Sequence, residues 1–146
     1  MAYEKILVAI DLTDEAQEVV AAAKVQAEAA QAPELHLINV VKPLTHTHGG
    51  IDVGAATAVI SLEKQLRDKA GELIRDIAAT AGISQDHVHL RHGHPASEIK
   101  AAAEELQADL IVIGTHGRHG LGLLLGSTAN GVLHGVQCDV LTVRIH

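Results

Sequence analysis

Ile6-Leu7-Val8-Ala9-Ile10-Asp11 is the stretch that decides the fold. Five apolar residues run without interruption and stop at an acid. A strand with one wet face alternates apolar and polar residues. A continuous run means that both faces are covered, as in a parallel sheet with helices on each side. Leu110-Ile111-Val112-Ile113 repeats the pattern and ends at Gly114. Leu35 to Val41, the alternating His87 to Arg91, and Val140 to Ile145 read as three more strands.

Helical patterns lie between them. Thr13 or Asp14 is expected to cap a helix whose apolar residues include Ala16, Val19, Val20, Ala23 and Ala27, spaced mostly at three and four. Residues 42–55 hold Pro43, three Gly and two His, and read as a loop. Ala56 to Ala81 is predicted as a long helix with Ile60, Leu66, Ala70, Leu73, Ile74 and Ile77 on one side, stopped by Gly82. Pro95 opens a helix that runs to about Leu106, and Ser127 to about His134 is the last helix. The order βαβαβαβαβ predicts an α/β fold: a doubly wound, five-stranded parallel sheet with right-handed crossovers and helices on both faces. Ligands of such sheets bind at the carboxyl ends of the strands, at the topological switch point. Asp11, Val40, Val41 and Gly114 fall at three of those ends.

Bulk properties narrow the function. The 146 residues suit one domain, 1–146, with no linker, charge run or internal repeat. A chain of this length buries roughly 68–70% of its unfolded surface, so its core needs no disulfide or metal. The formal charge of −7, from 11 basic and 18 acidic residues, disfavours DNA and anionic membranes. With no Phe, no Trp and only Tyr3, there is no platform for stacking bases. A lone cysteine, Cys138, fits a reducing compartment. The start of the chain has no basic segment followed by a long apolar one, and no segment reaches the roughly 20 apolar residues of a membrane span. The cytoplasm is the expected location.

Gly114-Thr-His-Gly117-Arg-His-Gly120-Leu-Gly122-Leu-Leu-Leu-Gly126-Ser127-Thr128 follows a strand and leads into a helix. That context suits phosphate binding. Glycines let backbone N–H groups approach an anion, and a helix N-terminus favours negative charge. Ser127 and Thr128 add hydroxyls, while Arg118, His116 and His119 offset anionic charge. The segment is neither a P-loop nor a G-x-G-x-x-G fingerprint. On spacing alone it reads equally as a strand-to-helix link with a serine N-cap.

Gly114-Thr-His-Gly117 and Gly126-Ser127 resemble the two halves of the nucleotide-binding signature of the universal stress protein family, Gly-x2-Gly-x9-Gly-[Ser/Thr]. The opening Lys-Ile-Leu-Val-Ala-Ile-Asp, the turn Gly93-His-Pro-Ala-Ser-Glu-Ile and the closing Cys-Asp-Val-Leu-Thr-Val-Arg are similar to their family counterparts as well. The resemblance implies strand order 3-2-1-4-5 in an adenine-nucleotide alpha-hydrolase-like fold. It implies a stress-response protein that binds ATP or a related adenine nucleotide, with or without Mg²⁺. The implied binding set is Asp11, Leu12, Val40, Gly114, His116, Gly117, Arg118, Gly126, Ser127 and Thr128. Asp11 would accept from ribose hydroxyls, and the Val40 backbone would read adenine. Gly114 and Gly117 would lie under ribose and phosphates, and Gly126, Ser127 and Thr128 would hold phosphate oxygens.

One departure keeps alternatives open. Eight residues separate Gly117 from Gly126, where ATP-binding relatives have nine. The enteric universal stress protein A subgroup, similar here at Met-Ala-Tyr, also has a shortened loop and is regarded as not binding ATP. Gly120 and Gly122 can absorb a missing residue. The alternatives are therefore a protein-interaction dimer with a degenerate pocket and no cofactor, and a slow ATPase. No acid stands at a Walker-B position and no base is evident, which disfavours efficient phosphoryl transfer. No serine nucleophile motif occurs, and no catalytic residue is assigned.

The eleven histidines fit no metal motif. His46 with His48, His87 with His89, and His92 with His94 are close in sequence, and His87 and His89 share a strand face. They are expected to be scattered surface residues, with no metal site. Cys138, beside Asp139, is expected to be a structural thiol. The strand Val140 to Ile145 would lie at a sheet edge, and unpaired edges invite partners. The family resemblance implies a homodimer through it.

Overall fold

The computed structural model describes residues 3–31, 33–44, 53–115 and 126–145. In chain order the elements are β1 (Lys5–Ala9), α1 (Ala16–Ala29), β2 (Glu34–Val41), α2 (Val53–Ala81), a 3-10 turn at Gln85–His87, β3 (Val88–His92), α3 (Pro95–Leu106), β4 (Leu110–Gly114), α4 (Ser127–Leu133) and β5 (Asp139–Val143). The sheet is parallel throughout, in the order β3-β2-β1-β4-β5. Both the doubly wound class and the strand order agree with the sequence.

β1 is central, with Ile6 opposite Leu35 on one side and Leu110 on the other. Its side chains explain the uninterrupted apolar run. Ile6 and Val8 enter a core with Val19, Ala23, Leu37, Ile74 and Ala78, on the α1 and α2 face. Leu7 and Ala9 enter a second core with Ile38, Ile99, Ile111 and Val132, on the α3 and α4 face. Ile6, Leu7 and Val8 are all wholly buried.

Three local expectations differ from the structure. The first concerns α1. It starts at Ala16 after Glu15 with no side-chain cap. The Thr13 hydroxyl instead accepts from the Glu15 N–H (3.3 Å) and donates to Asp11 Oδ1 (2.7 Å). These bonds make a side-chain turn ahead of the helix, a common alternative use of threonine. The second concerns α2, which starts at Val53 rather than Ala56 and buries only part of the predicted stripe. Ala70, Ile74 and Ala78 are buried, whereas Ile60 and Leu66 are exposed. Length is the reason. Its 29 residues span about 43 Å, against about 26 Å for the eight residues of β2. The amino-terminal half therefore overshoots the sheet. The third concerns α4, which starts at Ser127 as expected but with Gly126 as its cap, so the serine N-cap of the alternative link reading is not formed.

α3 has Pro95 in its first turn and His94 ahead of it, where Nδ1 accepts from the Ser97 N–H (3.4 Å). α3 and α4 pack side by side, and Gly131 permits the approach. A Cβ on Gly131 would stand 2.7 Å from the Ala96 Cβ. Neither atom ends a flexible side chain, so the helices themselves would have to part. Gly131→Ala is expected to cost about 1–3 kcal/mol as overpacking, despite alanine's better helix propensity. Urea unfolding checks this; a variant as stable as the parent contradicts it. Among the described residues, no helix is long and apolar enough to cross a membrane.

Candidate functional site

β1 and β4 are neighbours, but their helices leave in opposite directions. α1 covers one face of the sheet and α4 the other. The chain thus diverges past the carboxyl ends of these strands and leaves a crevice. The crevice is a cavity of about 320 Å³, near the lower limit for small-molecule sites.

Asp11, Val40, Gly114, Gly126, Ser127 and Thr128 all line it. Six of the ten residues implied by the resemblance are thus brought together. Leu12 packs against the α1-side core instead and is absent from the lining. His116, Gly117 and Arg118 lie outside the described residues, as do His46, His48, His119, Gly120, Gly122 and Leu123 to Leu125.

The floor is held rigidly. The Ile10 N–H donates to the Ile38 carbonyl (3.0 Å), and Asn39 Nδ2 donates to the Ile10 carbonyl (2.8 Å). A side chain at Gly114 requires its neighbours to give by a few tenths of an ångström. A Cβ there would lie 3.3 Å from Ile145 Cδ1 and 3.4 Å from a methyl of Val19. On the far side, the Thr115 N–H donates to the Val143 carbonyl (2.8 Å), and Gly126 N–H donates to the Thr115 carbonyl. The first N–H groups of a helix have no intrahelical partner. At α4 those groups belong to residues that line the cleft, and no side chain caps them.

Asn39, Lys42 and Glu15 also line the cleft and were not anticipated. Glu15 Oε2 is buried with no hydrogen-bond partner among the described residues. An orphaned carboxylate oxygen is costly unless a ligand, water or ion completes it. Asn39 carried a readable signal: it is the polar break in Leu37-Ile38-Asn39-Val40-Val41. Glu15 and Lys42 had none, because an acid before a helix and a lysine after a strand are ordinary surface choices. Cys138 lies elsewhere, half-buried, with burial pushing its thiol pKa up. It stays a protonated thiol, consistent with a structural role.

A second polar cluster sits at the amino ends of the strands. His36 is buried, 5% exposed. Its ring stacks on His87 (centroids 4.1 Å apart) and lies 5.2 Å from the ring of His89. His36 Nε2 is 3.1 Å from Glu34 Oε2, and His36 Nδ1 is 2.9 Å from His89 Nε2. Burial holds the pKa of His36 and of His89 below the ordinary range, with Glu34 opposing the shift at His36. The hydrogen bond from His36, helped by Lys5, lowers that of Glu34. These directions agree if the rings are neutral and His36 donates its Nε2–H. The three histidines are therefore not scattered over the surface. Register makes the difference: Leu37 pairs with Val88 and Ile38 with His89, which carries His36 alongside the histidines of the next strand.

Fold and cleft together define a doubly wound α/β protein with a small-molecule crevice at the switch point of its sheet. The chain belongs to the universal stress protein family, whose profile matches residues 2–144. It is 38% identical over 143 residues to Universal stress protein A homolog 2 of Coxiella burnetii, covering 98% of this chain and 96% of the relative. Among solved structures, hypothetical protein MJ0577 shares the fold with a TM-score of 0.81 at 24% identity, over 100% of this chain and 99% of the other. A universal stress protein in complex with cAMP matches with a TM-score of 0.61 at 25% identity, over 99% and 98%.

Proposed function

We propose that this chain is a cytoplasmic, single-domain stress-response protein that binds an adenine nucleotide in the switch-point cleft and acts as a dimeric regulator. The observation that carries the reading is the convergence of Asp11, Val40, Gly114, Gly126, Ser127 and Thr128 on one cavity. The relative in complex with cAMP supports the ligand class. In this reading the Asp11 carboxylate accepts from ribose hydroxyls, and the backbone at Val40 meets the adenine edge. The uncapped amides and hydroxyls at the start of α4 receive phosphate oxygens, with Lys42 supplying positive charge. The reading is one of binding: the two carboxylates of the cleft, Asp11 and Glu15, are given no part in proton transfer. Dimerisation is assigned to the edge strand β5.

The shortened spacing between Gly117 and Gly126 favours a second reading, an interaction dimer whose pocket has lost its ligand. One experiment separates the two. The protein is purified, heat-denatured, and its supernatant resolved by chromatography with absorbance detection. In parallel, the melting temperature is followed with millimolar ATP or cAMP. Nucleotide in the supernatant, or a rise of several degrees with either ligand, is the expected result. Neither a released nucleotide nor any rise leaves the interaction dimer standing.

A further inference from the structure

We propose that Glu34, His36 and His87 form a binding site for a divalent transition-metal ion of the zinc type. The site is independent of the nucleotide reading. It sits at the amino ends of β2 and β3, across the sheet from the cleft.

The donor set comes first. One ligand atom from each of the three residues lies within 4.8 Å of the others. Zinc takes nitrogen and carboxylate oxygen at about 2.0–2.2 Å in a tetrahedron, which puts neighbouring ligand atoms about 3.4 Å apart. The 3.1 Å between His36 Nε2 and Glu34 Oε2 is close to such an edge. Two imidazoles and one carboxylate leave a fourth position for water. Mg²⁺ and Ca²⁺ prefer all-oxygen shells and fit this set poorly.

The partners of the rings come second. His87 Nδ1 is 3.1 Å from the Leu35 carbonyl. A carbonyl only accepts, so Nδ1 carries the proton and Nε2 keeps its lone pair. At His36 the ion takes the place of the Nε2 proton. The neutral ring then carries its proton on Nδ1, 2.9 Å from His89 Nε2, which accepts it. Outer hydrogen bonds of this kind orient metal-binding histidines. Access comes third: His36 is buried, but Glu34 is half exposed and opens the cluster to solvent.

Two features set the strength. The His36 and His87 rings stack with their planes 26° apart, and an ion shared by both must lie in both ring planes. Binding therefore turns the half-exposed His87 ring out of the stack, with the Nδ1 bond to the Leu35 carbonyl as its pivot. Lys5 Nζ stands 3.7 Å from Glu34 Oε2 and repels a cation. The ion would tie the turn before β3 to the start of β2.

The test uses the full chain after chelator treatment, titrated with zinc chloride by calorimetry and by thermal melting. One equivalent binds, and a hundredfold excess over Kd raises Tm by roughly 5–10 °C. Mg²⁺ at the same concentration leaves Tm unchanged. Glu34→Gln and His87→Gln each abolish the rise, whereas His92→Gln, outside the cluster, keeps it. Lys5→Gln tightens zinc binding about fivefold, a gain that misfolding cannot imitate. Three results would overturn the proposal: no rise in the parent protein, an undiminished rise in both Glu34→Gln and His87→Gln, or unchanged affinity in Lys5→Gln. The second would assign the zinc to other histidines.

Discussion

Ile111→Ala is expected to unfold with about 2–5 kcal/mol less free energy than the parent, in the upper half of that range. Ile111 is wholly buried in β4, paired with Leu7 and Val140. Its face of the sheet is covered by α3 and α4, which bring Ala96, Ala102, Ala103 and Ala129 along with Ile99 and Val132 to the same core. Those helices already lie close, and alanine has no reach. Little can move into the space that the lost atoms leave, so the cavity persists. The same truncation on the other face, at Ile74, falls in a core that includes Val19, Val20 and Leu37, longer side chains that relax more. Ile74→Ala should thus cost less. Urea or thermal unfolding of the two variants checks the prediction. A loss below about 1 kcal/mol at Ile111 contradicts it.

Asp11→Ala is expected to weaken adenine-nucleotide binding by about tenfold to a hundredfold, the worth of a charge-assisted hydrogen bond. The loss should be larger for ATP, which offers 2′ and 3′ hydroxyls, than for cAMP, whose 3′ oxygen is esterified. Asp11 has a competing structural use, since Oδ1 accepts from the Thr13 hydroxyl at 2.7 Å. Thr13→Val removes that bond and keeps the carboxylate, so it separates the two roles. Its affinity should stay within a few-fold of the parent's. Calorimetric titration of both variants gives the answer. Equal affinities for Asp11→Ala and the parent would remove Asp11 from the ligand contacts.

Much of the fold was legible in the chain. Ile6 to Ile10 and Leu110 to Ile113 announced their burial because a strand covered on both faces has no polar register to keep. Pro95 marked the start of α3 because its missing N–H costs nothing there. Helix ends fared unevenly. The start of α1 differs because Thr13 spends its hydroxyl on a turn, whereas α4 starts at Ser127 as its sequence predicts, capped by Gly126. The stripe on α2 was legible as a period, but its upper half meets no sheet. Periodicity records which residues share a face, not whether anything covers it.

The candidate site divides the same way. Asp11, Val40, Gly114, Gly126, Ser127 and Thr128 were readable because they stand at strand ends or beside a glycine motif. Glu15, Asn39 and Lys42 join them only because parallel strands end level and their helices diverge. Glu34, His36, His87 and His89 meet through the β2–β3 register, across a crossover that includes the whole of α2. The sequence by itself determined the βαβ alternation, the buried central strands and the end of the sheet that holds the cleft, because apolar runs and strand ends are local. The strand order came with the family resemblance carried by its motifs. Only the tertiary structure decided which polar side chains meet. A parallel crossover joins residues dozens of positions apart, and no local pattern records that register.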